Sequence, residues 1–215
     1  MKACIHSVYI EDSIPELNTG RAFSIWLKDL LASSLKEKIT EGQSCGLYLT
    51  TGDLGAGSSI QFWREALKNG FAFANPREFP MTLSNSVASM IAIQLKITGP
   101  NYTFVGSHNV HNDAFIQALV DFQAMKINEC LIVNIPLLKN LRNGSDQRTV
   151  ITHLIRKKSD TKPVLATLEL SDVRNQENKS TSLEKVLLNI NKGNESEFFI
   201  QTDINKDILI RLSTA

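Results

Sequence analysis

Charge of one sign is what this sequence lacks: 23 Lys and Arg stand against 22 Asp and Glu, and a net charge of +1 gives no long-range attraction for a polyanion. Nucleic acid is therefore not expected as a partner, and neither is an anionic membrane surface. Long apolar runs are missing too. The first ten residues are apolar for only a short stretch before Glu11 and Asp12 interrupt it, which is too short for a signal peptide or a membrane span. A cytoplasmic protein with no membrane insertion is expected, so the Asn-X-Ser/Thr triplets beginning at Asn101, Asn143, Asn178 and Asn194 have no role as glycosylation sites. Cysteine is scarce. Cys4, Cys45 and Cys130 sit inside apolar runs with no CxxC spacing, and an odd count in a reducing compartment points to buried free thiols.

Two cofactor motifs fall short in the same way. Gly52, Gly55 and Gly57 lie between a strand-like and a helix-like stretch, but neither GxGxxG nor GxxxxGK[ST] is satisfied, so turn geometry explains them. His108 and His111 have the spacing of two metal ligands at a helix start. No acidic or thiol pair nearby completes a four-ligand set, so neither a metal nor another cofactor is expected.

What is present is alternation. Residues 3–10 read as a strand, and Phe23, Trp26, Leu27, Leu30, Leu31, Leu35 and Ile39 then recur at helical spacing. Residues 45–51 form a second strand. A helix follows from about Ser58, boxed by Gln61, to Gly70. Asn75-Pro76 and Phe79-Pro80 mark an extended loop, after which Ser84 is placed to cap a helix running to about Lys96. Residues 102–107 read as a third strand, 109–126 as a helix with Phe115, Ala118, Leu119, Phe122 and Met125 on one face, and 130–135 as a fourth strand. This βα order implies a largely parallel sheet covered by helices in a single domain of 1–215. Beyond residue 147 the short apolar runs 150–155, 164–170, 198–201 and 208–212, with one helical run at 183–190, read as irregular trim. Residues 171–182 carry almost no apolar side chain to offset the entropy of ordering and are expected to form a mobile loop.

The most specific stretch runs from Phe79 to Tyr102, FPMTLSNSVASMIAIQLKITGPNY, and it resembles the segment of β-ketoacyl synthases that leads to their active-site turn. Asn85, Ala88, Gly99, Pro100 and Asn101 match the family pattern, and a weaker likeness extends from Gly46 to about Ile135. The sequence is most similar to the short chain-length-factor type of ketosynthase-like protein found with aryl polyene and related polyketide pathways. The resemblance implies an α/β, thiolase-like half: a five-stranded mixed sheet covered by helices, with residues 3–10 and 164–170 as outer strands.

In that family a cysteine nucleophile stands nine residues after the glycine, and in this sequence that position is His108. Neutral imidazole replaces neither the acyl-accepting sulfur nor the lowered pKa of a thiolate at a helix N-terminus. The decarboxylation histidines and lysine of a full-length synthase come from a second half, and His153 follows no matching motif. The resemblance therefore implies a truncated, non-catalytic subunit that heterodimerises with an active β-ketoacyl synthase and meets acyl carrier protein through that complex. Its implied interface is Asn101, Tyr102, Thr103, Phe104, Val105, Gly106 and Ser107. His108, Val110, Asn112, Asp113 and Phe115 would line the partner's acyl tunnel. Two alternatives share the scaffold: a free-standing thioesterase or decarboxylase using His108, and a homodimeric acyl-binding protein.

Overall fold

A computed structural model describes residues 2–11, 20–35, 44–52, 56–76, 78–106, 110–135, 149–156, 164–171, 186–187, 190, 197–200 and 207–212. In chain order these form β1 (Lys2–Glu11), α1 (Gly20–Leu35), β2 (Cys45–Thr51), α2 (Ala56–Asn69), two 3₁₀ turns (Phe71–Phe73 and Phe79–Thr82), α3 (Ser86–Leu95), β3 (Asn101–Val105), α4 (Val110–Gln123), β4 (Glu129–Ile135), β5 (Thr149–Ile155), β6 (Ala166–Ser171), β7 (Glu197–Ile200) and β8 (Asp207–Leu212).

All eight strands join one mixed sheet in the order β3-β2-β4-β5-β1-β6-β8-β7. β2 pairs in parallel with both β3 and β4, as the βα alternation requires. From β4 onward every neighbour is antiparallel. The α/β class stands, but the sheet has eight strands rather than five. The runs after residue 148 are not trim, because β5 lies between β4 and β1 and all seven of its residues are buried. Nor are β1 and β6 outer strands. An apolar run of six or seven residues fits a sheet centre as well as a margin, and both partners of β1 lie more than a hundred residues away, which the local pattern does not encode. The segment 172–182 lies outside the described residues.

The two-residue strand period divides the core. Leu47 and Leu49 of β2, Leu131 and Val133 of β4, and Ile151 of β5 pack with Leu27, Leu30 and Leu31 of α1 and with Val87, Ala88 and Ile91 of α3. Tyr48, Ile132, Val150 and Leu154 belong to the other cluster, with Phe115, Leu119 and Phe122 of α4. α4 thus lies on the opposite face of the sheet from α1 and α3.

The Gly-Pro-Asn turn has a local physical cause. The Gly99 amide donates to the Cys45 carbonyl at 3.0 Å, and a Cβ on Gly99 would stand 2.2 Å from that oxygen. Only glycine lets the chain leave α3 and meet the start of β2 so closely. α3 itself begins after Asn85, one residue later than the Ser84 cap expected from sequence, and it ends at Lys96, which takes the left-handed conformation at φ 54°. The Ile97 amide closes that end on the Ala92 carbonyl at 2.8 Å.

Candidate functional site

β3 is an end strand of the sheet, and two bonds fix which of its backbone groups are used. The Leu47 amide donates to the Pro100 carbonyl at 2.8 Å, and the Gly106 amide donates to the Thr51 carbonyl at 3.0 Å. Between them the register pairs Leu47 with Asn101 and Thr51 with Val105. A parallel ladder with those ends turns the amides and carbonyls of Tyr102 and Phe104 toward β2, and those of Asn101, Thr103 and Val105 outward. Among the described residues no strand pairs with that outer side. On the α4 face Tyr102 stacks on Tyr48 with ring centroids 5.5 Å apart, and Phe104 follows it at 6.3 Å.

The remaining predicted site residues do not form one surface. Ser107 and His108 lie outside the described residues. Val110 is half-buried, Asp113 is exposed, and Asn112 and Phe115 are buried, Phe115 inside the core cluster. Gly106 leaves β3 toward α4, where an added Cβ would come within 2.7 Å of Val110 Cγ1.

In the first turn of α4 the structure assembles a group that the sequence did not reveal. His111 Nδ1 lies 2.7 Å from Thr50 Oγ1, and the Thr50 hydroxyl donates to Asn134 Oδ1 at 3.2 Å. Because that hydroxyl has a single proton, His111 Nδ1–H is the donor in the first bond and Nε2 carries the lone pair. Burial pushes the His111 pKa down to about 4, so the ring is neutral near pH 7. Thr50 and Asn134 are parallel neighbours at the ends of β2 and β4, the strand ends at which open α/β sheets place ligands. In the sequence His111 stands out only by its metal-ligand spacing from His108. Thr50 and Asn134, 84 residues apart, carry no local signal.

Beside this group lies an apolar cleft lined by His111, Phe115, Ile132, Asn134, Val150, Thr152 and Leu187. Of the residues expected along an acyl tunnel, Phe115 lines it.

Two further polar groups sit in the core. The Tyr48 hydroxyl donates to Asp121 Oδ2 at 2.8 Å, and Lys126 Nζ reaches Oδ1 of the same buried carboxylate at 3.2 Å. Burial first, and then the Cys130 and Asp121 side chains, raise the Tyr48 pKa. His153 is fully buried, with Nε2 3.0 Å from Glu129 Oε2 and its ring edge-on to His6, which makes it a core residue. Cys4, Cys45 and Cys130 are buried free thiols, and burial pushes the Cys130 pKa up, away from reactivity. Among the described residues no cluster of His, Cys, Asp or Glu has the form of a metal site, and no helix is long and apolar enough to cross a membrane.

No protein-family model and no curated protein sequence matches the chain. Solved structures do. The ishigamide ketosynthase/chain length factor is similar at TM-score 0.54 and 16% identity over 63% of this chain and 43% of that one, so this chain spans less than half its length. The ketosynthase ApeO in complex with its chain length factor ApeC, from Xenorhabdus doucetiae, contains a chain similar at TM-score 0.58 and 13% identity, covering 98% of this chain and 99% of that one. AntDE:AntF, a type II PKS acyl-carrier protein in complex with its ketosynthase, contains another at TM-score 0.67 and 11% identity, covering 99% of both. The short length is therefore shared with chains of two such assemblies. On these likenesses the chain carries the thiolase-like fold of ketosynthase and chain-length-factor assemblies.

Proposed function

We propose that this protein is a non-catalytic, chain-length-factor-like subunit that pairs with an active β-ketoacyl synthase in polyketide, aryl polyene or fatty-acid-like biosynthesis. The observation that carries the reading is β3: the Gly-Pro-Asn strand lies at the sheet's end with the backbone groups of Asn101, Thr103 and Val105 turned outward. An edge of this kind is a template for an added strand. A symmetry-related strand from the synthase would occupy it, with Gly106 and Ser107 at its end. His108, Val110, Asn112, Asp113 and Phe115 would then lie nearest the partner's acyl tunnel, which the subunit would help to shape. Acyl carrier protein would meet the complex rather than this chain alone, in the cytoplasm.

Exposed apolar surface supports a partner independently. On α2 and the adjoining turns Trp63 packs edge-on to Phe71 and Phe62 to Phe79, while Leu67 and Phe73 are 72% and 80% exposed. Monomers rarely leave large apolar patches uncovered. Coexpression with the cognate ketosynthase, followed by size-exclusion chromatography with mass determination, tests the reading. A stable heterodimer is expected, and a well-behaved monomer that ignores the synthase would defeat it. The pure chain should form no β-ketoacyl product, and His108→Ala should leave the complex's activity within a few-fold, whereas a loss of about a thousandfold would give His108 a chemical role.

A further inference from the structure

We infer that the cleft at the head of α4 is a binding subsite for a neutral hydrogen-bond donor on an otherwise apolar ligand, a hydroxyl or amide N–H that donates to His111 Nε2. Three observations meet there. The first is orientation: Asn134 Oδ1 accepts from Thr50, Thr50 accepts from His111 Nδ1–H, and this leaves the Nε2 lone pair as the acceptor, with no hydrogen bond among the described residues. The second is charge. Among the described residues no Lys or Arg lines the cleft, so a carboxylate or phosphate would meet no counter-ion there and would face the lone pair of a ring that burial keeps neutral. The third is shape: Phe115, Ile132 and Val150 supply apolar walls, and the enclosed space is about 10 Å³, room for one water-sized group, so the subsite takes the donor head of a ligand and leaves its chain at the open mouth. Nothing in the subsite depends on what pairs with β3.

The test uses the full chain, alone or coexpressed with its partner, with ¹⁵N-labelled histidine. Long-range proton–nitrogen spectra at pH 7 should show His111 with a proton on Nδ1 and none on Nε2, and the ring should not titrate above about pH 5. Adding 1-hexanol or hexanamide should shift the Nε2 signal, while hexanoate, the same chain with an anionic head, should not. Thr50→Val should mix the two tautomers and weaken the response. If that variant fails to fold, the tautomer and the ligand arms of the unaltered chain decide alone. A proton on Nε2, an equal response to hexanoate, or no response to either neutral ligand would overturn the inference. Each of these results is independent of whether a heterodimer forms.

Discussion

Proline placed along β3 tests the proposed partner edge directly. Proline lacks the N–H and is tolerated in strands only where that donor faces away from the ladder, so its effect depends on the parity of the position. Thr103 and Val105 turn their amides outward, whereas those of Tyr102 and Phe104 lie within the sheet. Thr103→Pro or Val105→Pro should therefore spare the fold and remove one inter-chain bond each. A bond is worth on the order of 1 kcal/mol net, or about fivefold in Kd, and the pair of substitutions should cost about 2 kcal/mol, or about thirtyfold. Tyr102→Pro should instead remove a donor to β2 and destabilise the chain itself by about 3 kcal/mol. The assay is a titration of labelled ketosynthase with each variant, with a thermal melt of the variant alone as the fold control. If the Thr103/Val105 double variant bound as tightly as the unaltered chain, β3 would not be the docking strand. If Tyr102→Pro were the harmless one, the register itself would be wrong.

Gly99→Ala should destabilise the chain by about 2–3 kcal/mol in a denaturant titration, because its Cβ would collide with the Cys45 carbonyl, which belongs to the backbone and has no rotamer by which to yield. Tyr48→Phe should lower stability by roughly 1.5–3 kcal/mol, since it withdraws one of the two donors, Tyr48 and Lys126, that hold the buried Asp121 carboxylate, and an unchanged melting temperature would contradict that role. Stability should also carry a signature of His111. Its folded pKa of about 4 lies below the unfolded value of about 6.5, so the neutral ring contributes fully above pH 6.5, and the contribution is lost as pH falls toward 4, by at most about 3 kcal/mol. The difference between the unaltered chain and His111→Asn, followed from pH 7.5 to 4, should show that slope, and a flat difference would refute it.

Where a strand–helix alternation was local, the sequence was readable. The 3.6-residue recurrence through Trp26, Leu27, Leu30 and Leu31 became α1, and the run from Val110 to Gln123 became α4 within three residues of its expected ends. β3 was readable because Gly99-Pro100 bars a helix from continuing into it, although α3 itself already ends at Lys96. Strand neighbours were not. Thr149 to Ile155 looks the same whether it closes a sheet or fills its centre, and its place there depends on β1, which is distant in sequence, pairing on the side away from β4. The Thr50–His111–Asn134 group was hidden for a related reason. Each residue type is common, and only the parallel register of β2 and β4 brings Thr50 and Asn134 together beneath the first turn of α4.

The insertion of β1 between β5 and β6 also has a kinetic consequence. Glu11 pairs with Thr149 and Cys4 with Ile155, so every rung between β1 and β5 joins residues more than 130 positions apart. On a ribosome adding about 5–20 residues per second, the N-terminal strand emerges first and waits on the order of ten seconds for its neighbours. In the meantime β2, β3 and β4, which lie between residues 45 and 135, already hold all the chain needed for their parallel trio. The edge proposed for a partner is thus complete before the middle of the sheet is filled. Encounter with a second chain during synthesis would find β3 formed and β1 still searching, and the slow step of maturation would be the threading of the first strand into a sheet whose outer strand is already engaged.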